Sequence, residues 1–253
     1  MIFDIHNIRQ DKPIAGNVLI YWLGAAGFAF KFPSGEIVCI DPYLSDYVER
    51  MFGFRRLTLP PLKADDLRFD TLLITHEHGD HLDIDSFDTM MAVNPGCRVV
   101  APPSCERFLM DEHADYIIAS PGITLTTNQI RIDVVDADHG PECPDAVGYL
   151  ISFNERKIYF TGDTGYDFEI LSEAISVKPD IVIPCINGAY GNLMDEEAVD
   201  LAIECGARVA IPSHFWLFAE HGIGSPGVFR DRMKEKAEKI EVILLTPGRG
   251  IEV

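Results

Sequence analysis

The chain has 253 residues, 47% of them apolar, which is enough to bury a substantial core and excludes disorder as its general state. Its 21 basic residues against 40 acidic ones give a formal charge of −19. That balance argues against nucleic acid as a partner, because sequence-independent affinity rests on Lys and Arg neutralising phosphates. In chain order, short runs rich in Val, Ile and aromatic residues predict strands near 18–23, 28–32, 36–40, 71–75, 98–101, 130–137, 148–153, 157–161, 180–184, 208–212 and 241–245. Apolar residues at helical spacing predict helices near 84–91, 105–111, 168–176, 196–205 and 228–239, the last led by Ser225-Pro226, with Asp195 as a candidate cap for the one before it. Turn signals at Pro33-Ser34-Gly35 and Asn154-Glu155-Arg156 join neighbouring strands. The segment 46–70 is the least regular, and reads either as a loop over a site or as a connection packed on the surface. With no low-complexity tract or long linker, the reading is one domain over 1–253, of sheets covered by helices.

The chemistry concentrates in Thr75-His76-Glu77-His78-Gly79-Asp80-His81, three imidazoles and two carboxylates directly after an apolar strand. Protonated histidines so close would repel one another, whereas a divalent cation accepts several imidazole and carboxylate donors at once. With this composition the pattern HxHxDH arises by accident in roughly one random chain in a thousand. Three further apolar strands run into a potential ligand: Asp138-His139, Gly162-Asp163 and Ser213-His214. Strands of one direction deliver their ends to one edge, where open α/β sheets place their sites. His6 and His113 lack ligand spacing and read as surface residues.

HEHGDH, the later His139, the Gly162-Asp163-Thr164 triplet and the final His214 resemble the metallo-β-lactamase-fold hydrolases across nearly the whole chain. The resemblance implies an α+β fold, a four-layer αβ/βα sandwich, and two divalent metal ions. By that likeness His76, His78 and His139 bind one metal, Asp80, His81 and His214 the other, and Asp163 bridges them. Asp41, before Pro42, matches an acidic residue that orients the site, though a turn-forming Asp reads nearly as well. Tyr21 to Phe28, Asn187-Gly188-Ala189-Tyr190-Gly191 and Pro212-Ser213-His214 resemble the branch that contains L-ascorbate-6-phosphate lactonase. In that light Asn187, Tyr190 and His221 are candidate substrate contacts, set against a glycine-rich turn and a plain loop histidine.

The implied activity is hydrolysis of a small ester or lactone, with a sugar-phosphate lactone among the candidates, by a water that the metals activate and that Asp80 orients and deprotonates. Glu77 points away from that set. The nitrogen and oxygen ligands suit zinc or manganese, and iron(II) as well. Activity is expected to fall as pH drops through the histidine range, because metal ligands must be deprotonated. Two other readings stay open: a phosphodiesterase of the same fold, with Arg55, Arg56 and Lys63 available for phosphate, and a non-hydrolytic metal or redox protein. Six cysteines without a CxxC pair read as reduced thiols, and the N-terminus has no secretory pattern. The expected setting is therefore cytoplasmic, with a small-molecule substrate, no nucleic acid and no membrane; a homo-oligomer is compatible with the sequence.

Overall fold

Apolar runs broken by small turn residues give the first sheet. In a computed structural model that describes residues 1–109 and 115–253, its strands are β1 (Ile2–Asp4), β2 (Leu19–Gly24), β3 (Gly27–Lys31), β4 (Ile37–Ile40), β5 (Thr71–Leu73), β6 (Arg98–Ala101) and β7 (Asp115–Ile118). Strands β2, β3 and β4 form an antiparallel meander, while β4, β5, β6 and β7 run parallel. Every residue of β2, β3, β4 and β5 is buried, which explains why they read as continuous apolar runs rather than alternating ones. One face follows the period of two: Leu19, Tyr21, Leu23, Cys39, Leu72, Ile74, Val99 and Ala101 share a cluster with Phe87 and Met90. Those last two come from α2 (Ile84–Val93), which follows the short α1 (Tyr47–Phe52) and precedes α3 (Glu106–Leu109). The closing strand Arg249–Glu252 inserts between β1 and β2. All of this belongs to one unit of the chain, formed by Met1–Ile118, Leu217–Ala219 and Leu245–Val253.

The second unit, Ala119–Trp216 with Glu220–Leu244, carries the other sheet. Its strands are β8 (Thr124–Thr127), β9 (Ile130–Asp136), β10 (Val147–Phe153), β11 (Arg156–Phe160), β12 (Ile181–Ile183), β13 (Val209–Ala210) and β14 (Glu241–Val242), in the order β14-β13-β12-β11-β10-β9-β8. From β11 to β14 the pairing is parallel; β10 is antiparallel to both neighbours, so β9 points the same way as β11. Helices α4 (Ser172–Ser176), α5 (Asp195–Cys205) and α6 (Pro226–Lys236) accompany it. The apolar residues Ala198, Val199, Leu201, Ala202 and Cys205 of α5 are buried, and the helix ends at Gly206 with φ +69°, a conformation glycine adopts without steric cost. Among the described residues no helix is long and apolar enough to cross a membrane.

The differences from expectation are local. Segment 46–70 contains α1, and strands β1, β7, β8 and Arg249–Glu252 were not foreseen. Asp195 does not cap its helix: Met194 holds that position, its N–H donating to Glu197 (2.8 Å), while the Asp195 carboxylate accepts the Ser225 N–H. Ser225 caps α6 by accepting from the Val228 N–H, and Pro226 opens that helix. The helix expected over 105–111 is described only to Leu109, and His113 lies outside the described residues.

Two glycines of the second unit make opposite demands. A Cβ on Gly224 would stand 1.5 Å from the Ile186 carbonyl oxygen, whereas on Gly227, in the first turn of α6, it would meet nothing closer than 3.6 Å. Urea unfolding should show Gly224→Ala losing about 3 kcal/mol, the upper end of overpacking costs, and Gly227→Ala unchanged or gaining up to about 1 kcal/mol. Equal midpoints for the two variants would contradict the close approach at Gly224.

Candidate metal centre

In the first unit, β4 and β5 are parallel, so Asp41 and the His76–His81 loop leave the sheet at the same edge. Asp41 is fully buried and sits at φ +44°, a left-handed conformation that costs a non-glycine residue about 1 kcal/mol or more. Its Oδ1 accepts the Thr75 N–H (2.8 Å); its Oδ2 accepts the Thr75 hydroxyl (2.6 Å) and lies 2.7 Å from His81 Nδ1. With Nδ1–H of His81 donating there, the Nε2 lone pair is left for a metal. Likewise His76 Nδ1 lies 3.0 Å from the Thr75 hydroxyl, while its Nε2 stands 2.9 Å from Nδ1 of His78. His76, Asp80 and His81 are buried, and His78 is the most accessible of the four.

The loop is held tightly. His81 and Leu82 N–H groups both donate to the His78 carbonyl, and buried Asp83 accepts the N–H groups of Leu44 (2.8 Å) and Ser45 (2.9 Å). Gly79 is required by packing: a Cβ there would stand 2.5 Å from the Tyr47 ring. Glu77 pairs with Arg107.

In the second unit, the shared direction of β9, β11 and β13 puts His139, Asp163 and His214 at one edge of that sheet. His139 Nε2 and His214 Nε2 face the same atom, Oδ2 of Asp163, at 4.0 and 3.5 Å. All three residues are buried, and His214 is held at φ +55°. Two donors bound to one ion at bond lengths of about 2.1 Å and a tetrahedral angle stand about 3.4 Å apart, so these separations suit ligands gathered round a cation. Burial, followed by the Asp163 charge, pushes the nearby Cys185 thiol up to about 12, and its Sγ faces the Thr164 carbonyl at 3.6 Å.

One residue here was missed by sequence reasoning. Asn192 Nδ2 donates to Asp163 Oδ2 at 2.6 Å, from a loop docked on the strand end by Leu193 N–H to the Thr164 carbonyl (2.8 Å). No fixed spacing links a carboxamide to the carboxylate it orients, so only the fold reveals it. Of the candidate substrate contacts, Asn187 is 1% exposed and neither atom of its amide has a hydrogen-bond partner among the described residues. Tyr190 is exposed at φ +55°, and the backbone of His221 closes a 3₁₀ turn, Ala219–His221.

Residues 37–215, a stretch containing all seven proposed ligands, match the family described as Beta-lactamase superfamily domain. The chain belongs to that family. Among curated relatives of this superfamily chain, the UPF0173 metal-dependent hydrolase of Archaeoglobus fulgidus is 28% identical over 247 residues, covering 92% of this chain and 98% of the relative. The novel metallo hydrolase Igni18 of Ignicoccus hospitalis has a similar structure, with TM-score 0.72 and 20% identity over 94% of this chain and 98% of its own. CmlA, a diiron β-hydroxylase of Streptomyces venezuelae, matches at TM-score 0.70 and 18% identity over 94% of this chain and 54% of its own. The two sheets and their helices are thus the α+β metallo-β-lactamase fold.

Partners of metal-binding side chains typically contribute 10–100-fold to metal affinity. Asn192→Ala and Asp41→Ala should each weaken metal affinity by about that factor in a competitive chelator titration, with far-UV circular dichroism preserved in Asn192→Ala. Unaltered affinity in Asn192→Ala would show that its bond to Asp163 is incidental.

Proposed function

We propose that this protein is a metal-dependent hydrolase in which a single domain, 1–253, assembles both ligand half-sets round one pair of divalent ions, zinc or manganese. The observation that carries the reading is the pair of half-sets itself: four donors in the loop after β5 and three at the strand ends of the second sheet. Two ions of about four ligands each need more donors than either half-set holds. In this reading His76, His78 and His139 serve one ion, Asp80, His81 and His214 the other, and Asp163 both. Family membership supports it, since the matched stretch spans all seven.

When bound, the ions would lower the pKa of a shared water toward neutrality and polarise the bond to be cleaved. The chain supplies the rest. Asp80, buried in the histidine loop, orients the water and accepts its proton. Asp41 and Thr75 fix the rings of His81 and His76, and Asn192 fixes Asp163. Leaving a buried amide unsatisfied costs about 1–3 kcal/mol, so Asn187, with no partner among the described residues, is suited to hydrogen-bond a substrate oxygen. Tyr190 and His221 are proposed as outer contacts.

The substrate class is a small ester or lactone met in the cytoplasm, with a sugar-phosphate lactone as the narrower candidate. Two observations favour an ester or lactone over a phosphodiester, and the second requires any sugar phosphate to point away from the acidic side. Arg56 is already committed, its Nη1 donating to the carbonyls of Tyr43 (3.1 Å) and Ser45 (2.9 Å) and its guanidinium lying over the Tyr43 ring. A cleft of about 520 Å³ beside His139 is lined by Asp136, Asp138, Glu169 and Glu173, which repel a phosphate on that side.

Metal-loaded protein offered a panel of lactones, carboxylic esters, phosphodiesters and thioesters should turn over a lactone or ester, lose that activity to a chelator, and regain it with zinc or manganese. Turnover of phosphodiesters alone, or esterase activity that survives chelation, would overturn the reading.

A further inference from the structure

At the other edge of the first sheet from the histidine loop lies a cleft of about 440 Å³, walled by Arg9, Lys31, Arg68, Asp70, Asn94 and Gly96. Its position follows from the strand directions. Lys31 ends β3, which is antiparallel to β4, and Asp70 immediately precedes β5, so both stand where the parallel strands begin. The histidine loop stands where they end. Residues 71–75 separate the two, roughly 20 Å of extended chain from Asp70 to His76.

Three cations round one cleft are unexpected in a chain of charge −19. Arg50, Arg131, Lys236 and Arg249 each pair with an aspartate. Among the described residues, Arg9, Lys31 and Arg68 pair with none. Lys31 is 7% exposed, and its ammonium donates to a single acceptor, the Gly35 carbonyl at 2.6 Å. Burial pushes its pKa below the usual lysine range, opposed by the charge of Asp70 and reinforced by that of Arg9. Arg68 donates through Nη1 to the carbonyls of Asp65 (2.6 Å) and Leu67 (3.1 Å), which fixes the guanidinium and leaves the rest of its fork available. Arg9 is exposed, and no group among the described residues accepts its donors.

The acids nearby, Asp70 in the lining and Asp11 beyond it, offset this set only in part. Asp70 lines the cleft with its Oδ2 accepting the Ile37 N–H (2.8 Å), and Asp11 accepts the Tyr21 hydroxyl (2.6 Å). Three cations and one carboxylate leave a surplus of two positive charges at the lining. A monocarboxylate would leave half of that uncompensated, whereas a dianionic phosphate matches it, and guanidinium forks and an ammonium are the groups that bind phosphate oxygens.

We infer that this cleft is a second binding site, separate from the metal centre, for the dianionic phosphate group of a small molecule. Arg9 and Arg68 supply the forks and Lys31 the charge at the floor. The site does not depend on which substrate the metal centre takes.

Calorimetric titration of the metal-loaded protein with inorganic phosphate and with glycerol 3-phosphate, against acetate at matched ionic strength, tests this. The wild type should bind at least one phosphate compound and not acetate; the tighter of the two identifies free phosphate or a phosphate ester as the natural chemistry. Since one charged hydrogen bond contributes about 1.5–3 kcal/mol, Arg9→Ala should weaken phosphate binding about tenfold or more. Arg9→Glu should abolish it. Both changes lie at an exposed, unpaired side chain, and a urea midpoint equal to wild type confirms folding. His78→Ala, altered at the metal centre, should bind phosphate as the wild type does. Equal affinity in Arg9→Ala and wild type, phosphate binding that disappears in His78→Ala, or no binding of either compound at millimolar concentration would each overturn the inference.

Discussion

A carboxylate sealed from solvent holds the histidine loop of the first unit together. Asp41 gathers the Thr75 N–H, the Thr75 hydroxyl and His81 Nδ1 on its two oxygens, within 2.6–2.8 Å. Burying that charge alone would cost several kcal/mol, and each charge-assisted bond recovers about 1.5–3 kcal/mol. The bonds therefore serve two ends at once: they make the burial tolerable, and they lock the end of β4 to the start of the histidine loop. Because the Asp41–His81 bond occupies Nδ1, the ring can present only Nε2. The direction of a proposed ligand's lone pair is thus set by a residue 40 positions earlier in the chain.

The strand ends of the second unit use the same logic on other residues. Asp163 is the common neighbour of His139, His214 and Asn192, and Asn192 decides which way its Oδ2 faces. The left-handed backbone of His214, like that of Asp41, stores strain that the parallel strands around it must hold. Strain at two proposed site residues, one in each unit, is what a preorganised site requires. Both halves rest on one topological fact: parallel strands end at the same edge, so short loops after them can carry donors without a dedicated scaffold.

Much of this was legible in the sequence, and the reasons are physical. The HxHxDH crowding is visible because so many titratable groups in six positions have few other uses. The strand ends at His139, Asp163 and His214 are visible because each apolar run stops directly before or at a donor. The fold class followed from the family resemblance and is the one observed. What stayed hidden was what depends on partners far away in sequence. Asn192 acts through a residue 29 positions earlier. Helix α1 has six residues and no side-chain cap at Asp46, so no periodic pattern announced it. Strand β8 is short, and the closing strand Arg249–Glu252 holds a glycine whose Cβ would stand 2.6 Å from the Tyr21 ring. Such glycines look like turn residues until the neighbouring strand is known.

The central claim is that residues 76–81 and residues 139, 163 and 214 serve one shared pair of ions. Metal content per chain, measured by elemental analysis in a double-mutant cycle, tests it most directly, because His78 and His139 come from different half-sets and are assigned to the same ion. The account predicts two ions in the wild type and one in His78→Ala, in His139→Ala and in the double variant alike. A double variant that holds no metal, while each single variant holds one, would mean that the two half-sets bind separate ions, and the shared centre would have to be abandoned.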